Sequence, residues 1–179
     1  MKQADKKRRP QQGFSLIELL IVVVIIGILV AIAVPVLSSS RRAANGASAL
    51  ESLRVITAAQ SSYQAGIGNQ NYGNPDDLYK NEFIDAALAG ACSPDVTSTT
   101  ISNLPPPIMS TIGKSGYRFI FQVSDPSLTE KIYNVTAVPV QTTGVNRSGD
   151  RTFFLDQTGV IRVSQTADQM ADVASQPLN

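Results

Sequence analysis

One carboxylate, Glu18, stands four residues after Phe14 near the start of an apolar run that ends at Leu37. The local sequence is Gly13-Phe14-Ser15-Leu16-Ile17-Glu18-Leu19-Leu20, and no charged residue follows from Leu19 to Leu37. A charged side chain in the middle of a membrane helix costs about 2.5–3.5 kcal/mol on insertion scales, so an acid here calls for a cationic partner. Residues four apart share one helix face, which makes positions 14 and 18 neighbours. The alternative is an acid tolerated close to the membrane interface and not buried at all.

The other chemistry-bearing residues are sparse. The chain has no histidine, which excludes a Ser-His-Asp or Cys-His site and any His-ligated metal. Cys92 is the single cysteine, so no internal disulfide forms, and it reads as a small loop residue and not a reactive thiol. Asp150 and Asp156 flank a predicted strand, but their spacing matches no defensible calcium loop, and Asp156 suits a hairpin turn. No cofactor is expected. Asn134-Val135-Thr136 and Asn146-Arg147-Ser148 fit a glycosylation pattern that arises often by chance.

The elements that position Glu18 come first in the chain. Residues 1–13 are polar and basic, with Lys2, Lys6, Lys7, Arg8 and Arg9 against Asp5, about +4 by formal counting. A helix over 14–37 spans roughly 36 Å, enough for a hydrocarbon core of about 30 Å. Basic residues stay on the cytoplasmic side, so the N-terminus faces in and the bulk of the chain faces out. An ordinary secretory signal has a shorter apolar region ending in a small-residue cleavage site. Ala31, Ala33 and Ser38 to Ser40 make outer-side cleavage conceivable, but the run is long and continues into a helical pattern.

The segment GFSLIELLIVVVIIGILVAIAVP resembles the type IV pilin and pseudopilin family at Gly13, Phe14, Glu18, Gly27 and Pro35, behind a short basic leader. The resemblance implies cleavage between Gly13 and Phe14 by a membrane-embedded prepilin peptidase, which also methylates the new amine of Phe14. The mature chain would keep 166 of the 179 residues. Cutting there places a positive amine near Glu18, within the same chain or on a neighbouring subunit, and the family uses the second pairing to register incoming subunits. It implies that the stretch between Gly27 and Pro35 loses helical order in a filament; in a lone subunit a static kink near Val34 is favoured. Implied partners are further copies of the chain, the peptidase, an assembly ATPase and an inner-membrane platform protein. Membrane lipid is expected from the residues themselves: Arg41, Arg42 and Arg54 fall just outside the apolar run, placed to meet lipid phosphates or a neighbour's acids. Major pseudopilins bind calcium in a C-terminal loop, which makes Asp150 and Asp156 the residues to inspect. Many proteobacterial pilins close a C-terminal loop with a disulfide, and a lone Cys92 departs from that pattern.

Beyond the apolar run, an amphipathic continuation of the helix is expected over 38–65, with Ala44, Ala47, Leu50 or Glu51, Leu53, Ile56, Ala59 and Tyr63 near a three-four repeat. Residues 66–116 read as a variable connector: a Gly-rich loop, a short helix from Asp76 to Leu88 ended by Gly90, then an irregular stretch with Pro105-Pro106-Pro107. From Tyr117 the period becomes two. Strands are predicted at Tyr117–Phe121, Lys131–Val138, Thr152–Leu155 and Val160–Val163, with a turn at Asp125-Pro126 and a hairpin about Asp156-Gln157-Thr158-Gly159. The sheet thus occupies 117–163, and a polar tail, 164–179, frays or forms a short helix near Ala167 to Ala174. The fold class is α+β: a long N-terminal helix packed on an antiparallel meander of about four strands.

Removing the leader leaves 10 Lys+Arg against 13 Asp+Glu, a net charge of −3, and no basic-aromatic patch that would indicate nucleic acid. The leading functional expectation is a structural subunit of a type IV pilus or related filament, held in a bacterial inner membrane before assembly into a periplasmic or extracellular fibre. A pseudopilin of a type II secretion system is the alternative, and a membrane-anchored enzyme the remote one; an enzyme is not expected, for want of any nucleophile motif.

Overall fold

The computed structural model describes residues 14–94, 113–124, 131–144, 146–167 and 169–178. The leader with Gly13, the three prolines at 105–107 and the Asp125-Pro126 turn lie outside the described residues. The chain divides into two units, Met1–Leu37 and Ser38–Asn179.

Helix α1 (Leu16–Ala65) is 50 residues long. It starts two residues later than the sequence predicts and ends where predicted. Pro35 lies inside it without ending it, although proline contributes no N–H to the ladder. In the first unit every described residue, 14–37, is exposed. By length and composition α1 is apolar enough to cross a membrane.

In the second unit α1 buries Ala49, Ser52, Leu53, Ile56, Ala59 and Gln60, the three-four spacing of one helix face. This corrects the expected stripe at its N-terminal end: Ala44, Ala47 and Glu51 are exposed. The sheet meets the face carrying Gly46 and Ala49 instead. A Cβ at Gly46 would lie 3.8 Å from the Tyr117 hydroxyl and 3.9 Å from the Phe153 ring, ordinary contact distances that place this helix face against both aromatics.

The single predicted helix over 76–88 is two: α2 (Pro75–Lys80) and α3 (Ala86–Ala91). Asn74 caps α2 in a reciprocal capping box with Asp77, and Asp85 caps α3 by accepting from Leu88 N–H at 2.6 Å. Between them Glu82 takes a left-handed conformation, φ 60°, which no helix interior accommodates. Gly90 does not terminate α3, which runs to Ala91.

The sheet has six strands in sequential order: β1 (Cys92–Pro94), β2 (Tyr117–Val123), β3 (Tyr133–Pro139), β4 (Thr152–Asp156), β5 (Ile161–Ser164) and β6 (Gln176–Pro177). Strands β2 to β6 are antiparallel, whereas β1 runs parallel to β2. The four predicted strands are β2 to β5. The two added ones were hidden in stretches that read as connector and tail.

Alternation sorts the sheet into two faces. Tyr117, Phe119, Phe121, Tyr133, Val135, Ala137, Phe153, Leu155 and Val163 form one core with Leu53 and Ile56 of α1 and with Leu78 and Leu88 of α2 and α3. The shared face of Tyr133, Val135 and Ala137 is as predicted. Ile120 and Val138 point to the opposite face, where Met170 of the tail packs on them. The described residues of the tail form no helix. They fold back over that face: Thr152 Oγ1 donates to the Gln169 carbonyl at 2.6 Å and accepts from Ala171 N–H at 2.9 Å, with Ala171 buried.

Candidate functional site

The first turn of α1 carries Glu18, and Phe14 stands just ahead of the helix with its ring 80% exposed. The first N–H groups of a helix lack intrahelical partners and carry the positive end of its dipole, so this is the one stretch of an apolar helix that itself stabilises a carboxylate. No ion pair reaches Glu18 among the described residues. Sequence spacing found the acid but not the favourable placement, because that depends on the helix starting at Leu16. Nothing lies within 4 Å of the position a Cβ would take at Gly27.

Residues 8–34 match the family model of the prokaryotic N-terminal methylation motif. That is the prepilin signature of type IV pilins and pseudopilins, and it marks the chain as a type IV pilin-like or pseudopilin substrate of prepilin peptidase. The signature belongs to structural subunits that assemble into filaments, and with the apolar helix it fits a membrane-anchored protein. No curated protein and no solved structure matches the chain.

The structure does not bring Asp150 and Asp156 to one site of ligands. Asp150 accepts from Arg42 Nε at 3.1 Å and from Arg147 Nε at 2.8 Å. Asp156 is buried and shapes the hairpin: its Oδ1 accepts from the Thr158 hydroxyl and from Thr158 N–H at 2.9 Å, while Gly159, at φ 75°, donates to its carbonyl at 3.0 Å. No group of three or more His, Cys, Asp or Glu is placed to hold a metal ion among the described residues. Cys92 is half-buried in β1, and burial pushes its thiol up to about 12.

Three polar features escaped the sequence reading. Arg42 also donates to Ser38 Oγ at 2.8 Å, and Asn45 and Ser48 of α1 bond to the Ser148 carbonyl and to Ser115 Oγ at 2.8 and 2.9 Å. Asn45, with the Arg42–Asp150 pair, ties the first turns of the head-bearing half of α1 to the loop before β4, and Ser48 ties it to the turn before β2. Arg118, 5% exposed on the outer sheet face, has Nε and Nη1 buried with no hydrogen-bond partner among the described residues, and burial lowers its pKa. Asp85 has its pKa lowered by the Leu88 N–H bond and then by Lys114, whose Nζ lies 3.1 Å away.

Proposed function

We propose that this chain is a structural subunit of a type IV pilus or a closely related filament. The observation that carries the reading is the methylation motif over residues 8–34 together with a first-turn Glu18 that has no ion-pair partner among the described residues. In this reading residues 1–13 are a leader, 14–37 are the membrane and filament-core segment, and 38–179 carry the head, with 38–65 its helical spine. The peptidase cuts between Gly13 and Phe14, methylates Phe14, and leaves a cationic amine at the mouth of the helix. Glu18 of one subunit then pairs with the Phe14 amine of another. Pairing offsets much of the cost of each charge in an apolar core, so a subunit seated out of register is penalised. Gly27 and Pro35 are the places where the helix can yield during packing. Before assembly the chain sits in the inner membrane with its N-terminus cytoplasmic, and an assembly ATPase and platform protein drive its extraction.

The secretion-system alternative differs in where the fibre ends. Surface-sheared material analysed by mass spectrometry separates the two. Abundant chains beginning at methylated Phe14 support a pilus subunit, whereas processed protein confined to the envelope supports a pseudopilin. Glu18→Ala is expected to be cut normally and to assemble poorly. Filament yield equal to the parent would sink the pairing.

A further inference from the structure

Chain folding brings Arg42 and Arg147 onto one carboxylate, Asp150, with a further arginine beside Arg42 in sequence, Arg41, and another beside Asp150, Arg151. Arg41 and Arg42 are the fourth and fifth residues beyond Leu37 on α1, and Asp150 binds Arg42 at 3.1 Å and Arg147 at 2.8 Å, with Arg151 the next residue in sequence. Arg41, Arg147 and Arg151 are exposed. Asp150 is the single carboxylate bonded into this group, so the cluster keeps a net charge of about +3 by formal counting. Elsewhere among the described residues, Glu51 pairs with Arg54 and Lys114 with Asp85. The rest of the mature chain is therefore acidic, since its total is −3. Sequence alone does not assemble this cluster, because Arg147 and Arg151 lie more than a hundred residues from Arg42.

We propose that this arginine cluster is a docking surface for the phosphate headgroups of an anionic lipid leaflet, occupied while the subunit waits in the membrane. The inference rests on the membrane-anchored reading above. Connectivity supplies the proximity: at about 1.5 Å per residue, Arg41 and Arg42 lie roughly 6–8 Å along the helix from the last apolar residue. That is within a Debye length of about 8 Å at physiological salt, so an anionic surface at the end of the span acts on these charges with only partial screening. Arginine suits the partner, because its planar donor fork matches phosphate oxygens. The Arg42–Asp150–Arg147 chain of ion pairs fixes the loop beside the helix, which keeps Arg41 and Arg151 each one residue away from a member of that chain.

The test uses the full chain reconstituted in lipid vesicles. The sequence has no tryptophan, so Asn146→Trp, at an exposed loop position, is a unique donor for energy transfer to a dansyl headgroup lipid. Vesicles of phosphatidylcholine alone are compared with vesicles containing phosphatidylglycerol. Transfer is expected to rise with phosphatidylglycerol and to fall with added salt. Arg41→Gln combined with Arg151→Gln leaves the Arg42–Asp150–Arg147 ion pairs intact and is expected to lower the docked-to-free ratio about fivefold for each arginine removed. Both proteins carry the same leader, so its own lipid binding cancels. Equal transfer in the two lipids, or a double variant that behaves like its parent, overturns the inference. Loss of transfer on adding millimolar inorganic phosphate at constant ionic strength also overturns it, in favour of a discrete anion pocket. Flotation with neutral vesicles is the control on the underlying reading: a chain that does not float defeats both, and one that floats without a lipid-charge response defeats only the docking surface.

Discussion

Gln60, wholly buried on α1, pairs with both backbone groups of Gly73: Nε2 donates to the carbonyl at 2.7 Å and Oε1 accepts from the N–H at 2.9 Å. The side chain takes the place of a neighbouring strand and ties the 66–74 loop to the helix. Gly73 is a glycine for a related reason, since a Cβ there would lie 3.2 Å from Leu78 and from the Tyr63 ring. Gln60→Leu leaves both groups of Gly73 buried and unpaired, each costing about 1–3 kcal/mol. A thermal unfolding midpoint in detergent should fall accordingly, by several degrees, and an unchanged midpoint would mean that water replaces the amide.

Arg118 is expected to behave in the opposite way. Its guanidinium is desolvated beside Ile120 and Val138 without a partner for Nε and Nη1. Replacing a buried charge by an apolar side chain of similar volume stabilises some proteins by about 1–4 kcal/mol. Arg118→Met should therefore raise the unfolding midpoint. A clear drop would reveal a counter-charge serving this arginine in the folded chain.

Stability should fall at alkaline pH because ionising two buried tyrosines opposes folding. Burial, as the largest cause, pushes Tyr117 and Tyr133 from 10.0 up to about 12. Groups with raised folded pKa contribute stability that is complete below their unfolded pKa and is lost as pH rises through the folded one. The decline is thus expected between pH 10 and about 12. Tyr133→Phe cannot ionise and should flatten part of that decline in a pH series of urea titrations, after its lost hydrogen bond to Thr57 is allowed for.

Cys92 should resist alkylation. Reactivity follows the thiolate fraction, and a pKa raised from 9.0 to about 12 starves the folded protein of thiolate at neutral pH. Iodoacetamide labelling of the native chain is expected to run at least about a hundredfold slower than labelling in urea. Comparable rates would show that β1 opens readily.

Gly159 holds a left-handed φ of 75° at the β4–β5 hairpin, and its Cβ position has only Thr57 nearby, at 3.8 Å. Alanine would fit the space but not the conformation, so Gly159→Ala should cost about 1–2 kcal/mol. A smaller loss in equilibrium unfolding would mean that the turn changes type.

Much of this architecture is legible from residue spacing. The period of two found β2 to β5 because each alternates between the helix-facing core and the outer face, and Asp156 with Gly159 announced the hairpin. Residue type alone located Glu18 and Pro35. What stayed hidden depends on partners distant in sequence. β1 is too short to show a period and exists through its parallel pairing with β2. The buried face of α1 was misjudged near Ala44 and Ala47 because alanine suits either side of a helix; the choice falls to Gly46, through contact with Tyr117 and Phe153. Gln60 and Arg42 look like surface residues until the loops they hold are in place.

Both margins of the sheet end in strands that contain a proline, Pro94 in β1 and Pro177 in β6. Proline cannot donate to a ladder, and prolines at sheet edges discourage pairing with another chain's strand. On the filament reading proposed above, heads would face one another at very high local concentration in the bilayer and the fibre. Blunted edges disfavour their joining into a continuous cross-β ribbon. Association through the apolar helices then meets less competition from edge-to-edge pairing of the heads.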